Sequence, residues 1–149
     1  MENLKIRQAK FSDLSNAKEL FNEVVESLSY RDDFDVNIAV KNYHNIMRND
    51  NSYMLLAELD DNVLGFVNFS IRQNLLQKGY SGLIEELIVK KEFENKDLGS
   101  TLLSAAIDEC KNFGCKEIEV NSAASNITAM NFYKKHGFTE KGILLEKEL

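Results

Sequence analysis

Apolar residues recur along this chain with two different periods. Leu14, Ala17, Leu20, Phe21, Val24, Val25 and Leu28 fall three or four apart, which predicts one buried face of a helix that begins at residues 11–14 with Ser12 as its N-cap. A second helix is expected over 36–48, where Ile38, Val40, Tyr43, Ile46 and Met47 point inward less regularly. Over 4–8, 52–59, 63–71 and 83–89 the pattern alternates or becomes continuously apolar, and these segments read as strands. Asp60-Asp61-Asn62 has the composition of a hairpin connection, and polar 73–81, with Gly79, reads as a loop. The strongest helical stripe lies in 97–113, through Leu98, Leu102, Ala105, Ala106, Ile107, Cys110 and Phe113, with Gly114 placed to stop it. A strand over 117–121, a helix over 127–135 opened by Asn126 and ended by Gly137, and terminal strands over 138–140 and 143–148 complete the chain. The resulting order, β-α-α-β-β-β-α-β-α-β-β, predicts a mixed α/β fold, and no proline, linker or repeat divides residues 1–149 into more than one domain.

Composition narrows the function classes. With 149 residues, 44% of them apolar, the chain can bury a core without disulfides or metals. No apolar run approaches the ~20 residues that span a bilayer, and the N-terminus lacks the layout of a signal peptide, so a cytoplasmic protein is expected. The net charge of −6 argues against nucleic acid as a partner and is compatible with a cationic substrate. Cys110 and Cys115 form neither a CxxC pair nor a zinc set, and only two histidines accompany them, so reduced structural thiols and no metal are expected.

Candidate chemistry gathers at 84–103, where an apolar strand enters a polar loop that opens into a helix. Such a junction aims unpaired N–H groups, at the positive end of the helix dipole, toward one spot suited to phosphate. Glu94 and Asp97 oppose that: a carboxylate ~6 Å from a phosphate costs roughly 1–3 kcal/mol at an effective dielectric of ~20–40. Lys90, Lys91 and Lys96 in the same loop offset the repulsion, and salt screens it. Asp97 has a second role available, as an N-cap that would occupy the same N–H donors. Weakened phosphate binding and its loss both remain open at this point.

The segment Asn126-Ile127-Thr128-Ala129-Met130-Asn131-Phe132-Tyr133-Lys134-Lys135-His136-Gly137-Phe138 resembles the N-x-x-A-x-x-F-Y-x-K-x-G-F helix of the GNAT superfamily of acetyl-CoA-dependent N-acetyltransferases. Strand Glu85-Glu86-Leu87-Ile88-Val89 and helix Gly99-Ser100-Thr101-Leu102-Leu103 resemble that family's cofactor-binding strand and helix, and the element order matches over nearly the whole chain. The family's Q/R-x-x-G-x-G/A loop falls on Glu94-Asn95-Lys96-Asp97-Leu98-Gly99, of which only Gly99 survives.

The resemblance implies a single domain with a mixed central sheet and helices on both faces, which moves an acetyl group from acetyl-CoA to a primary amine by direct attack. It implies pantetheine between strands 83–89 and 117–121, with main-chain groups of Leu87, Ile88 and Val89 facing the acyl and pantetheine parts. Glu94, Asn95, Lys96, Asp97, Leu98, Gly99 and Ser100 would meet the phosphates, with Thr101 beside them. Asn126 would hydrogen-bond pantetheine or cap its helix. Tyr133 would contact the cofactor and protonate the departing thiolate. Glu85 is the implied general base; Glu86 is an equally available neighbour, and strand alternation sends the two to opposite faces. Residues 30–35, with three aspartates, fall where the family builds its acceptor pocket, although a solvated loop explains the same charges. His44 has no partner legible in the sequence, and His136 reads as a helix-end residue. The acceptor is a small-molecule or peptide amine, a small basic amine being favoured; family members often pair through sheet edges or terminal strands, so a homodimer is open. The main rival is a GNAT-like binding or regulatory module without catalysis, and a second rival uses a longer acyl donor.

Overall fold

The computed structural model describes residues 1–27 and 35–149, the side chains of Val25 and Ser27 excepted. Its elements are β1 (Lys5–Gln8), α1 (Leu14–Ser27), α2 (Val36–Arg48), β2 (Ser52–Leu59), β3 (Asn62–Gln73), β4 (Tyr80–Val89), α3 (Leu98–Phe113), β5 (Cys115–Val120) and α4 (Ile127–Lys135), with single 3-10 turns at Phe11–Asp13 and Lys91–Phe93. Leu28 and residues 30–34 of the expected acceptor loop lie outside the described residues.

The entry to α1 differs from the expected Ser12 cap. Asp13 takes that work: its carboxylate accepts the Lys10 N–H at 2.7 Å, and a 3-10 turn precedes the helix. Asp13 is buried, and Arg7 compensates by bonding both its oxygens, at 2.9 and 2.7 Å, while also bonding Glu58 on β2. The Arg7 hydrogen bond holds the Asp13 carboxyl below its ordinary pKa despite burial. Asp35 caps α2 by accepting from Asn37 and Ile38.

The strands hydrogen-bond in the order β1-β2-β3-β4-β5, antiparallel except for the parallel pair β4–β5. Asp60 and Asp61 close the β2–β3 hairpin with φ of 48° and 63°, the positive values a two-residue turn requires. Alternation along β2 and β3 sends Leu55, Val67 and Phe69 to one face, against Leu102, Leu103 and Ala106 of α3. Met54, Leu56 and Phe66 go to the other, against Leu20 and Phe21 of α1 and Tyr43 of α2. Helices thus cover both faces of a mixed sheet.

Two expected strands do not form. Residues 138–149 have no regular structure, so the chain ends β-α rather than β-α-β-β, and β5 is an edge of the sheet. The end of α4 accounts for 138–140. Gly137 turns with φ of 90°, its N–H bonds Lys134 O, and Phe138 N–H bonds Tyr133 O at 3.1 Å. That is a Schellman helix stop, and it takes the Phe138 N–H that a ladder would need. Residues 143–148 keep their apolar pattern but pair with no strand among the described residues: Ile143 and Leu145 are each 88% exposed.

Candidate active site

Two backbone irregularities in β4 shape this region. The first is its partnership with β5, which runs from Tyr80↔Cys115 to Ile84↔Val120 and then stops. β4 continues to Val89 without that neighbour, so a gap opens beside residues 85–89. Leu87 and Val89 pack against the α3-side core and Ile88 against the opposite core, so the side chains anchor the strand.

The second irregularity is a bulge. Asn68 of β3 pairs with Glu86, whereas the next residue, Phe69, pairs with Ile84, which leaves Glu85 as an extra residue in β4. Asn68 Nδ2 donates to Glu86 Oε2 at 2.6 Å, and Ser70 Oγ donates to Glu85 Oε1 at 3.0 Å. Asn68 and Ser70 are two apart on a regular stretch of β3 and share the face of Phe66, toward α1 and α2. Both carboxylates therefore stand on that face. Strand alternation, which would have separated them, is cancelled by the inserted residue. Glu86 is open at the surface, yet the surrounding protein desolvates its carboxyl and raises its pKa above the ordinary 4.5; the Asn68 bond lowers it and the Glu85 charge raises it further.

On the junction that follows, Asn95 and Asp97 both have positive φ, 61° and 60°. Asp97 thus holds the left-handed conformation that glycine adopts most easily, and Asn and Asp are the L-residues that tolerate it best. Its side chain makes no capping bond, so the competition for the first-turn N–H groups does not occur. Asp97 instead uses its carbonyl, which accepts from Thr101 N–H and Oγ1, each at 3.0 Å. Glu94, Asn95, Lys96 and Asp97 are exposed, Ser100 is half-buried, and Leu98 is buried in the core and pins the helix start. Among the lysines, Lys90 Nζ lies 3.7 Å from Glu19 and Lys96 Nζ 5.1 Å from the centre of the Phe93 ring, while the Lys91 backbone N–H bonds Glu23.

Gly99 marks where three elements converge. A Cβ there would stand 3.7 Å from the Phe132 ring and 3.9 Å from Val89 Cγ2, both ordinary contacts. The end of β4, the start of α3 and helix α4 therefore meet at one point.

Tyr133 follows Phe132 on α4. The Schellman stop fixes it, because Phe138 folds back onto its ring with centroids 5.6 Å apart. Burial raises the Tyr133 pKa, so the phenol stays protonated at neutral pH. Asn126 caps α4, its Oδ1 accepting the Ala129 N–H at 3.1 Å, so the capping role the sequence offered is filled. His136 caps the other end through Nδ1 at 2.8 Å from Phe132 O. His44 lies against the Phe11 ring. Cys110 and Cys115 are free thiols, and burial pushes Cys110 up to about 12 and Cys115 upward, so neither offers a thiolate near neutrality.

Glu85 and Glu86 thus flank β4 on the α1–α2 side, and Tyr133 packs with the core on the α3 side. The β4–β5 pairing ends at Ile84↔Val120, immediately before these two glutamates. Residues 16–138 match the Acetyltransferase (GNAT) family. The chain belongs to the GNAT family.

An uncharacterized N-acetyltransferase of Bacillus subtilis (strain 168), YhfO, is 28% identical over 137 residues, covering 92% of this chain and 91% of that protein. The aminoalkylphosphonate N-acetyltransferase of Salmonella typhimurium is 24% identical over 131 residues, 88% and 79% of the two chains. The structure of aminoglycoside N-acetyltransferase AAC(6')-Iy in complex with CoA superposes with a TM-score of 0.83 at 18% identity, covering 98% of this chain and 94% of that one, a likeness of fold. The chain spans 34% to 63% of the length of four other relatives that it matches.

GNAT acetyltransferases use acetyl-CoA, and the residues here fit it. Among the described residues, the β5-side edge of 85–89 has no ladder partner, and the α3 N-terminus has no side-chain cap from Asp97. Backbone of 85–89 would hold pantetheine, and N–H groups of 98–100 the phosphates. Sequence reasoning missed Asn68 and Ser70. The available signal was a carboxamide at Asn68 between Val67 and Phe69, inside an otherwise apolar strand.

Proposed function

We propose that this GNAT protein transfers an acetyl group from acetyl-CoA to a primary amine that arrives as a cation. The observation that carries the reading is the β4 bulge, which sets Glu85 and Glu86 on one face where β4 parts from β5. Acetyl-CoA supplies the activated thioester; the chain supplies orientation and proton movements. Glu85, the base implied by sequence, here serves as the exposed charge that draws in an ammonium group. Glu86 is the proposed base: Asn68 fixes one of its oxygens, and desolvation raises its pKa, which strengthens it as a proton acceptor. It removes a proton from the ammonium nitrogen, directly or through one water, so that a lone pair becomes available.

Backbone N–H at Leu87 polarises the acyl oxygen, and Val89 and Asn126 align the pantetheine arm. Glu94, Asn95, Lys96, Asp97, Gly99 and Ser100 surround the phosphates, where Asp97 lowers affinity without blocking the N–H donors. Tyr133 Oη offers its proton to the departing sulfur. Full transfer from an ordinary phenol of pKa ~10 to a thiolate of ~8.5 is already uphill by about 2 kcal/mol, and burial raises Tyr133 further, so it acts mainly as a hydrogen-bond donor. A small basic amine is the favoured acceptor, consistent with the aminoglycoside and aminoalkylphosphonate acetyltransferases among the relatives.

The tail gives the proposed homodimer a physical basis. Ile143, Leu145 and Leu149 are exposed at strand spacing while β5 offers an unpaired edge, so two chains can exchange tails. Sedimentation of the intact chain against Leu145→Asp tests this, with dimer expected to become monomer. The functional reading is tested by calorimetric titration with acetyl-CoA and with free CoA: binding of both is expected, and no heat at millimolar ligand removes the enzyme reading.

A further inference from the structure

We propose that Asn68 is a positioning residue of the active site, whose buried carboxamide holds the Glu86 carboxyl in place at the β4 bulge. This rests on the reading of Glu86 as the base. β3 is buried from Val63 to Phe69, and Asn68, 4% exposed, is the one polar side chain in that stretch. A carboxamide removed from water costs stability unless it is hydrogen-bonded, and an aliphatic side chain would suit this strand better. Its Nδ2 bonds Oε2 of Glu86, its register partner beside the bulge, at 2.6 Å.

The chemistry of the amide suits a base that must change state. While Glu86 is ionised, the NH2 donates to one carboxylate oxygen and leaves the other for the ammonium proton. After the proton arrives, rotation of the amide presents Oδ1, which accepts from the new carboxylic acid. A hydroxyl does this less fully, and an aliphatic group not at all. Among the described residues Glu85 is the titratable group whose charge acts on Glu86; β3 presents neutral Asn68 to Glu86 and neutral Ser70 to Glu85. Removing the amide donor therefore leaves the ionised form of Glu86 less supported.

The test is carboxyl-carbon NMR titration of Glu86 in the free protein, beside the pH profile of kcat/KM, for wild type, Asn68→Val and Asn68→Thr. In Asn68→Val the Glu86 titration and the acid limb of kcat/KM should move together to higher pH. Loss of one such hydrogen bond is expected to lower kcat/KM about 10-fold on that limb. KM for acetyl-CoA should be unchanged, and Asn68→Thr, of similar shape with a hydroxyl, should shift less and serve if the valine variant does not fold. In a Glu86→Gln background, Asn68→Val should cause no further loss. An unmoved Glu86 titration in a folded Asn68 variant, with Glu86→Gln inactive, overturns the proposal alone. Full turnover by Glu86→Gln removes the base reading and the proposal with it.

Discussion

The two faces of β4 have opposite character at the same height. Toward α3, Leu87 and Val89 join the apolar core. Toward α1 and α2, Glu86 stands beside Glu85, each bonded to a polar residue of β3. A regular strand would have alternated Glu85 and Glu86 between the faces, placing one carboxylate against the α3-side core. The single inserted residue lets the apolar side keep its packing while the polar side collects two charges. One face fixes the strand; the other carries the two carboxylates to which the proposed chemistry is assigned.

Deletions break this comparison most severely. Removing Leu87 shifts Ile88 and Val89 to the wrong faces and should leave the chain unfolded, because register slips exchange core and solvent positions. Removing Glu85 heals the bulge and keeps every later residue on its face, so a folded protein is expected, with Tm lower by roughly 3–8 °C for a loss of about 1–2 kcal/mol. Circular dichroism melts of the two deletions separate these outcomes, and equal loss of structure would contradict the bulge.

Next in size is Glu86→Gln, expected to lower kcat/KM by about 10²–10³-fold as a lost general base. Its stability should respond to pH with a definite sign. The folded pKa of Glu86 is raised, so the stability that its protonated form contributes is present below the ordinary carboxylate range and is lost as pH rises through the folded value. Glu86→Gln should therefore gain stability relative to wild type at pH 8 and not at pH 4, which denaturant melts at both pH values measure.

Tyr133→Phe probes the apolar side. Its ring contacts with Phe132 and Phe138 survive the change, so turnover should fall about 10–100-fold while CoA affinity by calorimetry stays level. The smallest effect belongs to Asp97→Gly. This exposed carboxylate is screened by water, and its removal should tighten CoA about 3–10-fold, with unchanged affinity meaning that the side chain points away from the phosphates.

Local pattern carried most of the fold. Helices α2 and α4 and strand β2 begin and end where the apolar spacing, Asn126 and Gly137 indicate, because each is decided by neighbours in sequence. The losses are non-local. Residues 143–148 alternate as a strand should, but a strand also needs an edge, and β5 does not take them. Ser12 is displaced as the cap because Asp13 is drawn inward by Arg7, six residues before it, and Arg7 is itself held by Glu58 on β2.

The site was legible where a motif has a local mechanism. F-Y-x-K-x-G-F encodes a helix stop that clamps Tyr133 under Phe138, and the strand–loop–helix junction encodes a row of N–H donors. It was illegible where β3 meets β4. Whether two adjacent glutamates share a face depends on a pairing 15 to 18 residues away, from Asn68 and Ser70, that no local period records.

The most direct measurement of the shared face is the titration of Glu86 by carboxyl-carbon NMR in Glu85→Gln. With both carboxylates on one side, removing the Glu85 charge should lower the Glu86 pKa. A Glu86 titration that does not move would place the two on opposite faces and contradict the account.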